Sequence, residues 1–299
     1  MTLGQDLLAA FEAVARLGTV GKAAVSLHST QPTVSRQIRS LERYLGQPLF
    51  ERDSAGMHLT AAGRDFAPRA RLILHELQLA RDTLDAHGGL KRGAIRVGGV
   101  TTLVRTFLPP ILAEVARRAP QLKIEAVVGS EEQLDRALAQ RELDLIFATQ
   151  PPGEVEAVEI GSGRYSDRCV VFCAADHAFA RQQRPEIAGI LQQQWALGHP
   201  GATTRQQFEK LVVAAGHRFP SVALQTDSVD LIISVVAQSA ILGWLPEPLL
   251  QHPGEKQRIR VLSVPELELI RNFSAYRRSR GTFPPGGQVF IDAMAAAGA

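Results

Sequence analysis

Residues Val20 to Leu45 read VGKAAVSLHSTQPTVSRQIRSLERYL, and the spacing of their apolar side chains decides what the chain is organised around. Thr30 is placed to cap a helix whose first turn holds Gln31 and Pro32, where a missing N–H costs nothing. Val34, Ile38, Leu41 and Leu45 then recur at spacings of four, three and four, one buried stripe. The opposite face carries Thr33, Arg36, Arg39, Ser40 and Arg43, with Gln31 and Ser35 near the N-terminal end: donor-rich side chains. The preceding helix is small and alanine-rich (Ala23, Ala24, Val25, Leu27), so it can lie close across the second, and His28-Ser29 makes the turn. This is a helix-turn-helix pattern, whose second helix can enter a DNA major groove N-terminus first. An ordinary amphipathic hairpin with a solvated arginine face shares that periodicity.

The residues that follow separate the two readings. Gly46 is a helix stop in the left-handed conformation. Pro48-Leu49-Phe50 and the segment Glu51 to Thr60 follow, in which two short extended runs flanking Ser54-Ala55-Gly56 predict a β-hairpin wing. Phe11, Ala23-Ala24, Leu27, the run Thr30 to Ile38, Leu41-Glu42, Leu45-Gly46, Leu49-Phe50, Arg52 and Leu59-Thr60-x-x-Gly63 together resemble the winged helix-turn-helix of LysR-type transcriptional regulators. The match is dense over residues 1–62, the expected DNA-binding domain. Gln31 presents an amide that matches N7 and N6 of adenine, and Pro32 and Thr33 suit a thymine methyl. Ser35, Arg36 and Arg39 are expected on phosphates or base edges, and Arg52, by the resemblance, on the backbone beside the wing. The chain departs from the family at Gly21, often serine, which predicts a weaker cap for its helix. It departs again at Asp53-Ser54-Ala55, where basic residues are common, which predicts a wing that adds little.

From Thr60 a long helix is expected to run to about Gly88-Gly89, with 63–89 as a linker. Phe66, Ala70, Ile73, Leu77, Ala80 and Leu84 repeat as a heptad seam, and so narrow a stripe needs a partner helix. The resemblance implies an antiparallel dimer on this helix and a homotetramer overall. Pro68 inside it favours a bend.

Beyond Lys91-Arg92-Gly93 short apolar runs alternate with amphipathic segments: strand 95–100, helix 103–118, strand 122–128, helix 131–140 and strand 143–148. This βαβ punctuation implies a parallel sheet. A second block has strands at 168–174, 195–197, 221–225 and 241–245 with helices at 204–215 and 229–237. Strand 267–276 then leads to a last helix near 287–297. The fold class is therefore α/β multidomain. The resemblance implies a two-lobed effector domain like type 2 periplasmic binding proteins, with lobe 1 from 94–165 and 267–299 and lobe 2 from 166–266. Gln238 to Gly243 lacks the glycine-rich turn usual in the family.

Ligands of two-lobed α/β domains lie in the crevice at the carboxyl ends of strands, facing helix N-termini. Thr101 and Thr102 follow the first strand, and their hydroxyls suit a carboxylate or phosphate. Ser130 with Gln133 forms a capping box, Thr149 follows the third strand, and Thr203-Thr204 open a helix of the second lobe. Each is also an ordinary cap. Arg105 and Arg205 rank below these hydroxyls as partners for a small polar or anionic effector.

The 299 residues are 45% hydrophobic, enough to bury a core in two or three domains. A formal charge of +3 is too small and dispersed to identify a polyanionic partner alone. No apolar run is long enough to span a membrane and no leader pattern opens the chain, which predicts a cytoplasmic protein. Cys169 and Cys173 share one strand face about 13 Å apart, too far for a disulfide, and are expected to be buried thiols. No HExxH, GxSxG, P-loop, strand-linked GxGxxG or zinc-spaced Cys/His cluster occurs, so neither catalysis nor a metal or cofactor is expected. The expected partners are double-stranded promoter DNA, a small-molecule effector, further copies of the chain and RNA polymerase.

Overall fold

The computed structural model describes residues 3–53, 56–87, 93–160, 165–251 and 254–296. Three helices, α1 (Gln5–Leu17), α2 (Val20–Ser26) and α3 (Gln31–Leu45), precede a hairpin of β1 (Phe50–Asp53) and β2 (Gly56–Leu59). The stripe on α3 buries Val34, Ile38 and Leu41 against Phe11, Val14, Ala23 and Ala24. Gly46, at φ 70°, ends α3 in the left-handed region, and His28, at φ 49°, turns the chain between α2 and α3. The wing's turn, Ser54-Ala55, and the Lys91-Arg92 boundary lie outside the described residues.

The expected weak cap at Gly21 is corrected. Thr19 N-caps α2, its hydroxyl accepting from Lys22 N, and Gly21 sits inside the helix. A Cβ at Gly21 would lie 3.1 Å from Nε2 of Gln31.

Helix α4 (Ala61–His87) runs unbroken through Pro68. Its first turn lies so close to the wing that a Cβ on Gly63 would stand 2.1 Å from the Leu49 carbonyl. The seam expected for dimerisation divides in two. Ala70 is fully buried and Phe66 packs in the N-terminal core, its ring 5.2 Å from that of Phe11. These two back their own domain and are not free for a partner. Ile73, Leu77, Ala80 and Leu84 are exposed along one edge, Leu84 at 71%.

The C-terminal part opens with β3 (Gly93–Gly99), α5 (Thr101–Thr106), α6 (Leu108–Arg118), β4 (Leu122–Val128), α7 (Glu131–Ala139), β5 (Leu145–Ala148) and β6 (Ala157–Glu159). The single helix expected over 103–118 is two, because Pro109 and Pro110 cannot donate to the preceding turn and serve at the start of α6 instead. The chain continues through β7 (Tyr165–Ala174), α8 (Ile187–Leu191), β8 (Trp195–Leu197), α9 (Thr203–Ala214), β9 (Val222–Gln225), α10 (Val229–Val236) and β10 (Leu242–Pro246). It closes with α11 (Glu247–Leu250), β11 (Ile259–Leu262), β12 (Leu269–Arg278) and α12 (Pro285–Ala296).

The strands run in the order β4-β3-β5-β12-β7-β10-β8-β9, with β11 on β7 and β6 on β12. Pairing is parallel within each flank (β4/β3/β5 and β10/β8/β9) and antiparallel through β12 and β7 at the centre. Strand β12 pairs β7 over Leu269–Phe273 and β5 over Ser274–Tyr276, so one strand belongs to both halves. The division between halves therefore falls within β12 and not before it at 267. Separate cores form on each side, one around Val97, Ile111, Phe147 and Phe290, the other around Trp195, Phe208 and Trp244.

The opposite edge of α4 docks on the first half. Arg71 pairs with Glu142 at 3.1 Å and donates to Gln140; Arg141 pairs with Glu76 at 2.7 Å. Between them His75 is buried 3.7 Å from Asp144, too far for a hydrogen bond.

Candidate nucleic-acid interface and effector cleft

Helix α3 carries its polar face outward because the apolar stripe fixes its rotation. Gln31, Pro32, Arg36 and Arg39 are exposed, and Thr33 and Ser35 are half-buried. Thr30 accepts from Thr33 N at 3.4 Å and so caps the start of the helix. Arg36, Arg39 and Arg43 line one side of a hollow with Glu42, Gly46, Gln47 and Pro48. Glu42 does not neutralise them: its carboxylate accepts from Leu49 N and Phe50 N, at 2.9 and 3.3 Å, and fixes the start of the wing. Arg39 and Arg43 instead donate back to the carbonyls of Ser35 and Arg39. Among the described residues Arg36, Arg39, Arg43 and Arg52 form no ion pair, which leaves four cations free for phosphate. Arg43, placed on this face by periodicity but given no role there, belongs with the others. Arg52 is exposed on β1, while Asp53 beside it accepts from Gly56 N and pairs with His58 at 3.2 Å.

The second site is a cleft of about 480 Å³ between the two half-sheets. Thr101, Thr102, Ser130, Thr203 and Thr204 all line it. Thr149 does not. Its hydroxyl donates to both carboxylate oxygens of Glu131, at 3.0 and 2.8 Å, so it positions Glu131 and is withdrawn as an effector ligand. Ser130 caps α7 in a complete capping box with Gln133. Arg105 reaches across the halves to Asp230 at 2.6 Å. Arg205 donates to Glu209 at 2.8 Å and stacks 4.2 Å over the Phe219 ring.

The residue that sequence reasoning missed is Arg271. It lines the cleft and is only 8% exposed, yet its position on β12 gives no periodic or motif signal. Asp167 takes its Nε and Nη2 in a bidentate pair, and Nη2 also donates to the Thr102 hydroxyl at 3.2 Å. Glu131, a first-turn residue of α7, is a second cleft residue without a motif to mark it.

Cys169 and Cys173 are both buried and unbonded. Burial pushes both thiols up to about 12, so neither is a thiolate at neutral pH. Among the described residues no cluster of metal-ligating side chains occurs, and no helix is long and apolar enough to cross a membrane.

A winged helix-turn-helix with unpaired arginines, joined by a long helix to two α/β halves around a cleft, is the architecture of a DNA-binding regulator that carries a second, α/β domain. Residues 5–64 match the bacterial regulatory helix-turn-helix protein, lysR family, and residues 88–299 match the LysR substrate binding domain. The chain belongs to the LysR family of DNA-binding transcriptional regulators. It is 28% identical to the HTH-type transcriptional regulator CbbR of Xanthobacter flavus, over 100% of this chain and 88% of that protein. It is also 28% identical to the RuBisCO operon transcriptional regulator of Allochromatium vinosum, over 94% and 92% of the two chains. A full-length OxyR variant from Pseudomonas aeruginosa shares the fold with a TM-score of 0.73 at 22% identity, covering 98% of this chain and 95% of that one. Full-length CbnR in complex with its target DNA does so with a TM-score of 0.68 at 20% identity, over 99% and 100%.

Proposed function

We propose that the protein binds promoter DNA sequence-specifically as a homodimer or homotetramer and that a small polar or anionic effector, held between the two halves, changes how it does so. The observation that carries the reading is the exposed face of α3, where Gln31, Pro32 and Thr33 stand at the leading end and the unpaired Arg36, Arg39 and Arg43 follow. Gln31 addresses an adenine edge, Pro32 and Thr33 a thymine methyl, and Ser35, Arg36, Arg39, Arg43 and Arg52 hold phosphates or base edges. The exposed Ile73, Leu77, Ala80 and Leu84 pair with the same edge of a second α4. An effector in the cleft contacts Thr101, Thr102, Ser130, Thr203 and Thr204, and acts by binding one arrangement of the assembly more tightly than another. The protein works in the cytoplasm, where RNA polymerase is the further partner, and not as an enzyme.

Footprinting on the DNA upstream of the protein's own gene and its nearest divergent neighbour tests this. Protection of an imperfect palindrome, with half-sites about one helical turn or a multiple of it apart, is expected. Uniform protection of all DNA would contradict sequence-specific binding.

A further inference from the structure

Resting on the reading of the cleft as an effector site, the charges on its wall narrow the effector's chemistry. Four residues of formal charge line it: Glu131, Asp227, Arg205 and Arg271. The two cations are matched by carboxylates of their own, Arg205 by Glu209 and Arg271 by Asp167. Neither anion is paired with a lysine or arginine of its own, although Glu131 stands near enough to Arg271 for the two charges to interact. Glu131 accepts only the neutral Thr149 hydroxyl, and Asp227 accepts from the His199 backbone N–H, with the exposed His199 ring 4.0 Å away. A doubly anionic ligand, a dicarboxylate or a phosphate ester, would face more carboxylate than free cation.

Donors for one anionic group are nevertheless present. Arg271 is more than nine-tenths buried and lines the cleft, and its third nitrogen, Nη1, has no hydrogen-bond partner among the described residues. Helix α9 enters the cleft wall with Ala202 as its N-cap, which offers no side-chain acceptor, and with no acid in its first turn. By contrast α7 and α10 carry Ser130 and Ser228 as caps and acidic residues in their first turns. Acceptors therefore stand at Glu131, and unsatisfied donors at Arg271 Nη1 and the start of α9.

We propose that the cleft selects a zwitterionic small molecule, its ammonium group on Glu131 and its single carboxylate on Arg271 Nη1 and the first turn of α9. An α-amino acid is the minimal form of such a ligand. Glu131 is the residue that distinguishes it from an acid of the same shape without nitrogen, because a protonated amine gains from a carboxylate that has no ion-pair partner of its own, and a group without charge does not.

The test is a thermal-shift titration of the full chain with the common L-α-amino acids singly, each beside its des-amino acid, and with succinate and glycerol 3-phosphate as dianions. At least one amino acid is expected to raise the melting temperature while its des-amino partner does not. Glu131→Gln, which keeps an acceptor for Thr149, is expected to weaken that binding about tenfold or more, its own melting curve without ligand reporting that it is folded. Equal binding of amino acid and des-amino acid overturns the proposal on the wild-type chain alone. Stabilisation by the dianions only, strengthened in Glu131→Gln, overturns it and leaves the cleft as an effector site. No shift with any of these compounds overturns the zwitterionic selection and leaves the cleft to an effector of another class.

Discussion

Gln31 stands at the first turn of α3 with its amide exposed, and its neighbourhood gives it no intramolecular task beyond contact with Gly21. Truncating it to alanine is expected to cost about 1–3 kcal/mol of discrimination between operator and random duplex, read by competition binding. Equal losses on both duplexes would move Gln31 off the bases. Arg52 is the opposite kind of residue. It is exposed, unpaired and on the wing, so Arg52→Ala should weaken binding to every duplex alike and reduce the slope of log affinity against log salt by about 0.9. A changed base preference in that variant would show that Arg52 reads sequence. Asp53 limits how much the wing gives, though less than its charge suggests, because it is occupied by Gly56 N and His58. These residues are legible in the sequence because capping, periodicity and groove chemistry act within one helix. Arg271 is not: its partners Asp167 and Thr102 lie 104 and 169 positions away, and no local pattern links them. Thr149 shows the converse error, a hydroxyl correctly placed after a strand but turned to Glu131.

At the scale of the element, α4 joins three tasks on one cylinder. Its first turns complete the N-terminal core through Phe66, Ala67 and Ala70, one edge docks on the first α/β half, and the remaining edge is apolar and open. A heptad stripe in a sequence says that a face must be covered. It does not say by what, and so Phe66 and Ala70 look continuous with Ile73 and Leu77 until the fold separates them. The two groups should also separate on mutation. Ile73→Asp is expected to dissociate the assembly in sedimentation velocity with the thermal stability of the N-terminal domain retained. Phe66→Ala should cost that domain up to about 3 kcal/mol, since it leaves a gap against Phe11. Dissociation by Phe66→Ala with stability unchanged would restore the undivided seam.

The whole molecule is coupled where α4 meets the first half, around His75 and Asp144. Burial first, then the Arg278, Arg96 and Arg141 guanidiniums, hold His75 down at about 4 against its ordinary 6.5. It is therefore neutral in the folded chain. Below 6.5 the unfolded chain takes up a proton that the folded one refuses, so stability is lost as pH falls from 6.5 toward 4, by up to about 3 kcal/mol. Burial raises the Asp144 carboxyl above its usual range, which contributes the opposite sign as the folded chain protonates first, and the net slope is smaller than His75 alone would give. Urea midpoints across this window should rise with pH in the wild type and flatten in His75→Gln; an equal slope in both would assign the dependence elsewhere. The sequence reveals the two ends of the molecule well, through a motif-dense N-terminal domain and βαβ punctuation. It does not reveal this junction, because Arg71, His75 and Glu76 find their partners only after α4 is laid against residues 140–144, the segment between α7 and β5.

Binding of a specific DNA duplex by α3 and its unpaired arginines is tested most directly by fluorescence anisotropy. The full chain is titrated on its own upstream DNA and on random duplex across a fourfold rise in salt. Tighter binding to the upstream duplex is expected, with an affinity on both that falls by about three to five powers of ten, as contact with half a dozen or more phosphates requires. Affinity indifferent to salt, or no binding to either duplex, would contradict it.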